Sequence, residues 1–277
     1  MPRTPTGDTN AELAVSLFKK EVVSHGYGAA DGWKAIIQLL VTCELWVGKA
    51  WLPSHGQPVF RESNDYKLTQ QGKPNTALRE AELMGNYLAS QLGVPQTALC
   101  ANLGLFIKSL NIQPNNPRGH AFRSIAAEFL STYGDPALSI EEEVSPHQLF
   151  PGVPFNLRSA EPRVDLTVHR GNNLVALCSV RWSYRHDRVD MLEEAAAYMG
   201  AARRINGHCQ FFGITAEMNP ARLKKVVSQT SPLVSHAAMT RLVHVHPPLA
   251  TTVIGHNGAL GHLMSLEQWA ADSFNWK

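Results

Sequence analysis

The sequence has no uninterrupted apolar run of about 18 residues, the length that a membrane-spanning helix needs, so no span is expected. It has no CxxC pair. Its four cysteines, Cys43, Cys100, Cys178 and Cys209, are scattered, which excludes a disulfide framework or a zinc site and suits reduced thiols in a cytosol-like compartment. The opening MPRTPTGDTNAEL lacks an apolar h-region, so no secretory leader is expected. GxGxxG, P-loop and nucleophile-elbow motifs are missing, as are repeats and low-complexity blocks, and no nucleotide cofactor is expected. Charge of one sign is also scarce: 25 Lys and Arg against 23 Asp and Glu leave +2, too little for a chain-wide polybasic binder, though a local anion site stays open. What remains is an ordinary globular balance, 44% hydrophobic and 17% charged over 277 residues, which excludes disordered, collagen-like and coiled-coil chains and fits one large domain or two small ones.

Along the chain, residues 1–10 read as a loose tail, and Ala11 to about His25 as a helix with Leu13, Leu17, Val22 and Val23 as its apolar positions. Trp33 to Trp51 is expected as a buried helix, Pro53–Asn75 as a turn-rich segment, and Thr76–Leu92 as an amphipathic helix stopped by Gly93-Val94-Pro95. Cys100–Leu110 is a further apolar segment, and the breaker IQPNNPRG precedes a helix over His120–Tyr133 that Gly134-Asp135-Pro136 ends. Beyond it the character changes. Val164–Val168, Leu174–Trp182, Gln210–Ala216 and Leu242–Val245 read as strands; Asp187–Arg204, Pro220–Gln229 and Ser265–Phe274 read as helices. The expected fold is α/β, a central mixed β-sheet flanked by helices, with a largely helical N-terminal half. It forms a single domain over 1–277, with the helical part over about 9–110 and the α/β core over about 116–277.

The informative stretch runs from Arg163 to Arg204. Val164, Leu166 and Val168 share one strand face; Asp165, Thr167 and His169 share the other. Gly171-Asn172-Asn173 is a turn signal, so a hairpin is expected. On its second strand Ser179 and Arg181 point one way, and Cys178, Val180 and Trp182 the other. If Arg170 faces Leu174, then Asp165 faces Ser179; a bulge would shift this by one. Asp187 is a candidate N-cap for the following helix, on which Met191, Glu194, Tyr198 and Ala201 form one stripe. Glu194 on that otherwise apolar stripe needs a partner, because an unpaired buried charge is costly, and a divalent cation shared with Asp165 would supply one. Two carboxylates holding Mg2+ beside a cation suit phosphodiester hydrolysis. The plainer alternative is a cross-strand ion pair between Asp165 and Arg181.

These residues resemble the active site of the PD-(D/E)XK nucleases, and more narrowly that of the type IIP restriction endonucleases that recognise CCGG-containing palindromes. In that subgroup a serine replaces the usual strand carboxylate, giving S-x-K, and an acid from the following helix comes after twelve or thirteen residues intervening beyond the lysine. Here Ser179 takes the serine place and Arg181 the lysine place, and Glu194 follows after twelve intervening residues. The subgroup's R-x-D-R element, four residues past the lysine, is matched by Arg185-His186-Asp187-Arg188. The resemblance implies a restriction-endonuclease-like fold, and Mg2+ held by Asp165 and Glu194. It also implies catalysis by Asp165, Arg181, Glu194 and Ser179, and base reading by Arg185, Asp187 and Arg188, arginine forks suiting guanine and aspartate suiting cytosine. The implied substrate is a double-stranded DNA palindrome with a CCGG or interrupted CC-GG core, cut to leave 5′ overhangs. A homodimer on DNA, no membrane association and a cytoplasmic, prokaryotic setting follow from it. FFGITAEMNPARL over 211–223 is weakly similar as well.

Two departures stand out. Arg181 cannot act as a base where a lysine could. Arg123 stands where the family often has an upstream helical acid; Glu128, Glu80 or Glu82 are substitutes, each otherwise a solvated helix-face charge. Alternatives are a repair or structure-specific nuclease of the same fold, a DNA-binding protein that has lost cleavage, and a metabolic α/β protein in which Asp165 and Arg181 merely pair. His244 and His246 are a candidate metal pair, with an exposed strand face as the simpler expectation. Glu141-Glu142-Glu143 reads as a solvated loop run. Lys224-Lys225 and Arg203-Arg204 read as phosphate contacts or helix ends, the latter favoured by the helix dipole.

Overall fold

A computed structural model describes residues 3–4, 9–42, 86–93, 117–155, 157, 161–182, 190–217, 220–255 and 258–277. Helices α1 (Thr9–His25) and α2 (Gly32–Thr42) and a helical stretch over 86–92 come first. Helix α3 (Pro117–Tyr133) then leads into β1 (Leu138–Val144), the short α4 (Pro146–Leu149), and the strands β2 (Val164–Arg170) and β3 (Asn173–Arg181). Helix α5 (Asp190–Ile205), β4 (Gln210–Thr215), α6 (Pro220–Val227), β5 (Arg241–His244), α7 (Pro247–Ile254), β6 (Met264–Ser265) and α8 (Leu266–Asp272) complete the order.

The six strands form one mixed sheet in sequential order. β1, β2 and β3 are antiparallel; β3, β4, β5 and β6 are parallel, as helical crossovers require. The central strands β3 and β4 are buried almost throughout, the pattern expected of strands covered on both faces. On one face lie α3, with α1 and α8 against it: Phe122 meets Trp182 edge-on at 5.0 Å, and Phe212 lies 5.0 Å from Trp276. On the other face α5 rests on β3 and β4. There Gly213 lets α5 approach closely: a Cβ would stand 2.7 Å from Met191 Sδ, and that side chain would have to shift.

The hairpin settles the register. Gly171 takes a left-handed φ of +59° and the turn is tighter than expected, pairing Arg170 with Asn173 and His169 with Leu174. Val175 is then an extra residue: Val168 pairs Ala176 and Leu166 pairs Cys178. The tighter turn and the bulge offset one another, and the ladder is back on the line that brings Asp165 towards Ser179.

Several expectations need correction. Glu141-Glu142-Glu143 is no loop but part of β1, and the Glu142 carboxylate is fully buried between Arg3 Nε (2.5 Å), Arg123 Nε (3.3 Å) and Ser124 Oγ (2.6 Å). Two guanidinium ions make that burial tolerable. Within the stretch expected as a loose tail, the described Arg3 and Thr4 are held in place: Arg3 is buried among Glu142, Glu12 and Glu128, and Thr4 N–H donates to Ile140 O at 3.0 Å. Glu128 is buried against Lys19 and Arg3, not solvated. His244 and His246 are not on an exposed face; His244 is fully buried and His246 is stacked on Trp33 at 3.6 Å. Helices α4 and α7 had no signal beyond their prolines. The expected Pro53–Asn75 and Cys100–Leu110 segments, the distal part of the Trp33–Trp51 helix and the start of Thr76–Leu92 lie outside the described residues.

Candidate active site

Three elements build the site: the outer end of β2 gives Asp165, the end of β3 gives Ser179 and Arg181, and the second turn of α5 gives Glu194. Strand alternation puts the first three on the α5 face of the sheet, and the helical stripe puts Glu194 opposite them. Met191, Tyr198 and Ala201 on the stripe are buried while Glu193 is exposed, so α5 is oriented as the sequence pattern requires.

Arg181 is the hub. One of its terminal nitrogens bonds Asp165 Oδ2, and the other donates to Glu194 Oε1 at 2.5 Å. Asp165 Oδ2 also accepts from the Val180 backbone N–H at 2.8 Å and lies 3.5 Å from Ser179 Oγ. The carboxylate is therefore fixed by the backbone of the neighbouring strand, a contact that residue types alone do not reveal. Tyr198, one turn beyond Glu194, has its phenol pushed upward by burial and further by the nearby Glu194 and Asp165 charges, so it stays neutral here.

Asp165, Ser179, Arg181 and Glu194 are thus brought together. Arg185, Asp187 and Arg188 lie outside the described residues, as do Glu80 and Glu82. Helix α3 adds no acid to the pair: Arg123 is engaged with Glu142 and Glu143, and Glu128 with Lys19 and Arg3. Among the described residues no group of three or more His, Cys, Asp or Glu gathers as a metal centre. The protein's contribution would be two carboxylates, oxygen donors close enough to share one guanidinium.

Next to Arg181 the row continues across the sheet through Thr215 and His244, which pair in register. His244 Nε2 lies 3.1 Å from Glu217 O and its Nδ1 accepts from His246 N–H at 3.1 Å. Burial lowers the pKa of both histidines to about 4, so they are neutral, and hydrogen bonds occupy both ring nitrogens of His244 and Nε2 of His246, where Tyr87 Oη stands at 2.7 Å. Glu217, buried just past β4 and paired with Arg222 at 3.4 Å, went unremarked in the sequence. A lone acid immediately after an apolar strand is the signal that marks it. A cavity of about 330 Å³ at the β5–β6 edge, lined by Trp33, His246 and Ser265 among others, contains none of the four site residues. Among the described residues no helix is long and apolar enough to cross a membrane.

No family model, curated protein or solved structure matches the chain.

Proposed function

We propose that the chain is a Mg2+-dependent, sequence-specific endonuclease that cuts double-stranded DNA at a palindrome with a CCGG or interrupted CC-GG core, leaving 5′ overhangs. The observation that carries this is the convergence of Asp165 and Glu194 on the Arg181 guanidinium, with Ser179 beside it on the same strand. Had the two acids faced opposite sides of the sheet, no shared ion would be possible. The donor set fits Mg2+, which takes oxygen ligands and is commonly held by one or two carboxylates, with water and substrate phosphate completing its shell. Bound there, Mg2+ would supply an activated water and charge neutralisation at the phosphate.

The chain's own residues take distinct roles. Asp165, held by the Val180 N–H, and Glu194 bind the ion. Arg181 stays protonated and orients water or steadies charge on the scissile phosphate; it does not act as a base. Ser179 fills a position without a carboxylate and donates towards Asp165. Arg185, Asp187 and Arg188 read the core base pairs, and a two-fold site calls for a homodimer on DNA. The setting would be a prokaryotic cytoplasm. Incubation of a mixed-sequence plasmid with the protein and Mg2+, followed by sequencing of the ends, should give 5′ overhangs clustered at CCGG cores; ends without sequence preference would defeat the specificity assignment. Arg185→Ala should reduce discrimination for CCGG by about 1–3 kcal/mol in a competition binding assay.

A second reading draws on Arg181 itself. With its guanidinium on both carboxylates, the chain would be a sequence-specific DNA-binding protein without cleavage. Binding at CCGG with uncut plasmid under all Mg2+ concentrations is the outcome that selects it.

A further inference from the structure

The proposed site already contains a cation. Arg181 spans the place that a metal shared by Asp165 and Glu194 would take, with one fork on each acid. Asp165, Glu194 and Arg181 carry a formal −1 between them. A divalent ion added with Arg181 kept in place would bring the cluster to +1, with two cations crowded between the same oxygens. A divalent ion that displaces Arg181 breaks its ion pairs with Asp165 and Glu194 in a partly buried setting, which is costly. A DNA phosphate relieves both problems: it brings −1, and its oxygens match the arginine fork bidentately. Arg181 is placed for such a move. It is the last residue of β3, and its side chain is 29% exposed, more than Asp165 at 12% or Glu194 at 15%.

We infer that Arg181 couples the divalent-ion site to DNA. In the free protein it caps Asp165 and Glu194 and keeps ion affinity low; on DNA it turns to the phosphate and opens the carboxylates to the ion. Metal and DNA then bind with positive cooperativity, and each raises the affinity for the other by the same factor. The inference rests on the nuclease reading for its ligands but makes a separate claim, about order and coupling rather than cleavage.

The test is calorimetric titration of the full chain with Ca2+, a hard ion that also takes oxygen ligands. It is run with and without a short duplex carrying CCGG, for wild type and Arg181→Met. In wild type the duplex should tighten Ca2+ binding by at least about tenfold, and Ca2+ should tighten duplex binding equally. In Arg181→Met, Ca2+ should bind the free protein about tenfold more tightly than it binds free wild type, and the coupling should shrink to within about twofold. Coupling through phosphate ligation of the ion alone would survive Arg181→Met, and that result overturns the inference. Arg181→Gln serves the same purpose if the methionine variant does not fold. Wild type that cuts DNA while its Ca2+ affinity ignores both duplex and substitution overturns the inference alone. No cutting, with no Ca2+ binding by any variant, overturns the nuclease reading along with it.

Discussion

The sheet carries an ionic cluster on each face, and the two are built alike but placed differently. On the α3 face, Glu142 is held between Arg3 and Arg123, with Glu12, Glu128 and Glu143 around them; the Glu142 side chain is 0% exposed and both arginine side chains are 4% exposed. On the α5 face, Arg181 is held between Asp165 and Glu194, and it reaches solvent. One cluster has a sealed centre, Glu142 between two buried arginines, with further acids at its rim; the other is a cation between acids, open at the strand ends. A sealed network has nothing to exchange with and fixes the N-terminal arm, α3 and β1 to one another. An open one can trade its cation for another. The same sheet thus separates an ionic cluster that holds the fold from one suited to ligand exchange.

Isosteric amide substitutions probe this difference, since the same chemical change is made on each face. Asp165→Asn keeps an acceptor for the Val180 N–H but loses the charge, so plasmid cleavage should fall by at least about a hundredfold, comparable to removing other charge-stabilising groups. Its urea-unfolding free energy should drop by only about 1 kcal/mol, because water reaches Arg181 and Glu194 remains with it. Glu142→Gln should do the reverse. It removes the central anion from two buried guanidinium groups, which keep Glu12, Glu128 and Glu143 as acid partners, and should cost about 1.5–3 kcal/mol in urea unfolding, while the folded fraction cuts at the wild-type rate. Equal stability losses for the two variants would erase the distinction between the clusters.

How much of this was legible in the sequence follows from how local each signal is. The β2–β3 hairpin, the α5 stripe and the grouping of Asp165, Ser179, Arg181 and Glu194 come from period-two and period-3.6 patterns within about thirty residues, where spacing fixes direction. The β1 strand was missed because Glu141-Glu142-Glu143 carries no apolar alternation; its burial depends on Arg3 and Arg123, which are remote from it in the chain. The turn signal Gly171-Asn172-Asn173 is one residue longer than the turn itself, and Val175 gives no sign in the sequence of being the extra residue of the bulge. Arg181 could be placed near both acids, but its grip on both at once is a matter of side-chain geometry. The imidazoles of His244 and His246 were misjudged for the same reason: strand spacing does not say that Tyr87 and Trp33 come over to cover His246.

His244 offers the last and smallest test, and a third way of burying a polar group beside the two clusters. It lies in the same cross-sheet row as Arg181 and stays neutral, bonded to Glu217 O and His246 N–H. Burial is the main cause of its fall from 6.5 to about 4, and His246 falls equally far. Because both values are depressed in the folded chain, the unfolded chain takes up these protons first. Their contribution to stability is therefore complete above about 6.5, declines as the pH falls, and levels off near 4, where the folded state protonates too. Each histidine adds up to about 1.4 kcal/mol per pH unit to the slope in that window. His244→Asn lowers the absolute stability by losing buried hydrogen bonds, so the slope is the readout. Urea titrations between pH 6.5 and 4 should show the wild-type slope reduced by about one proton's worth. An unchanged slope would mean that His244 is already charged in the folded chain, and that the row beside Arg181 carries a second cation rather than a neutral spacer.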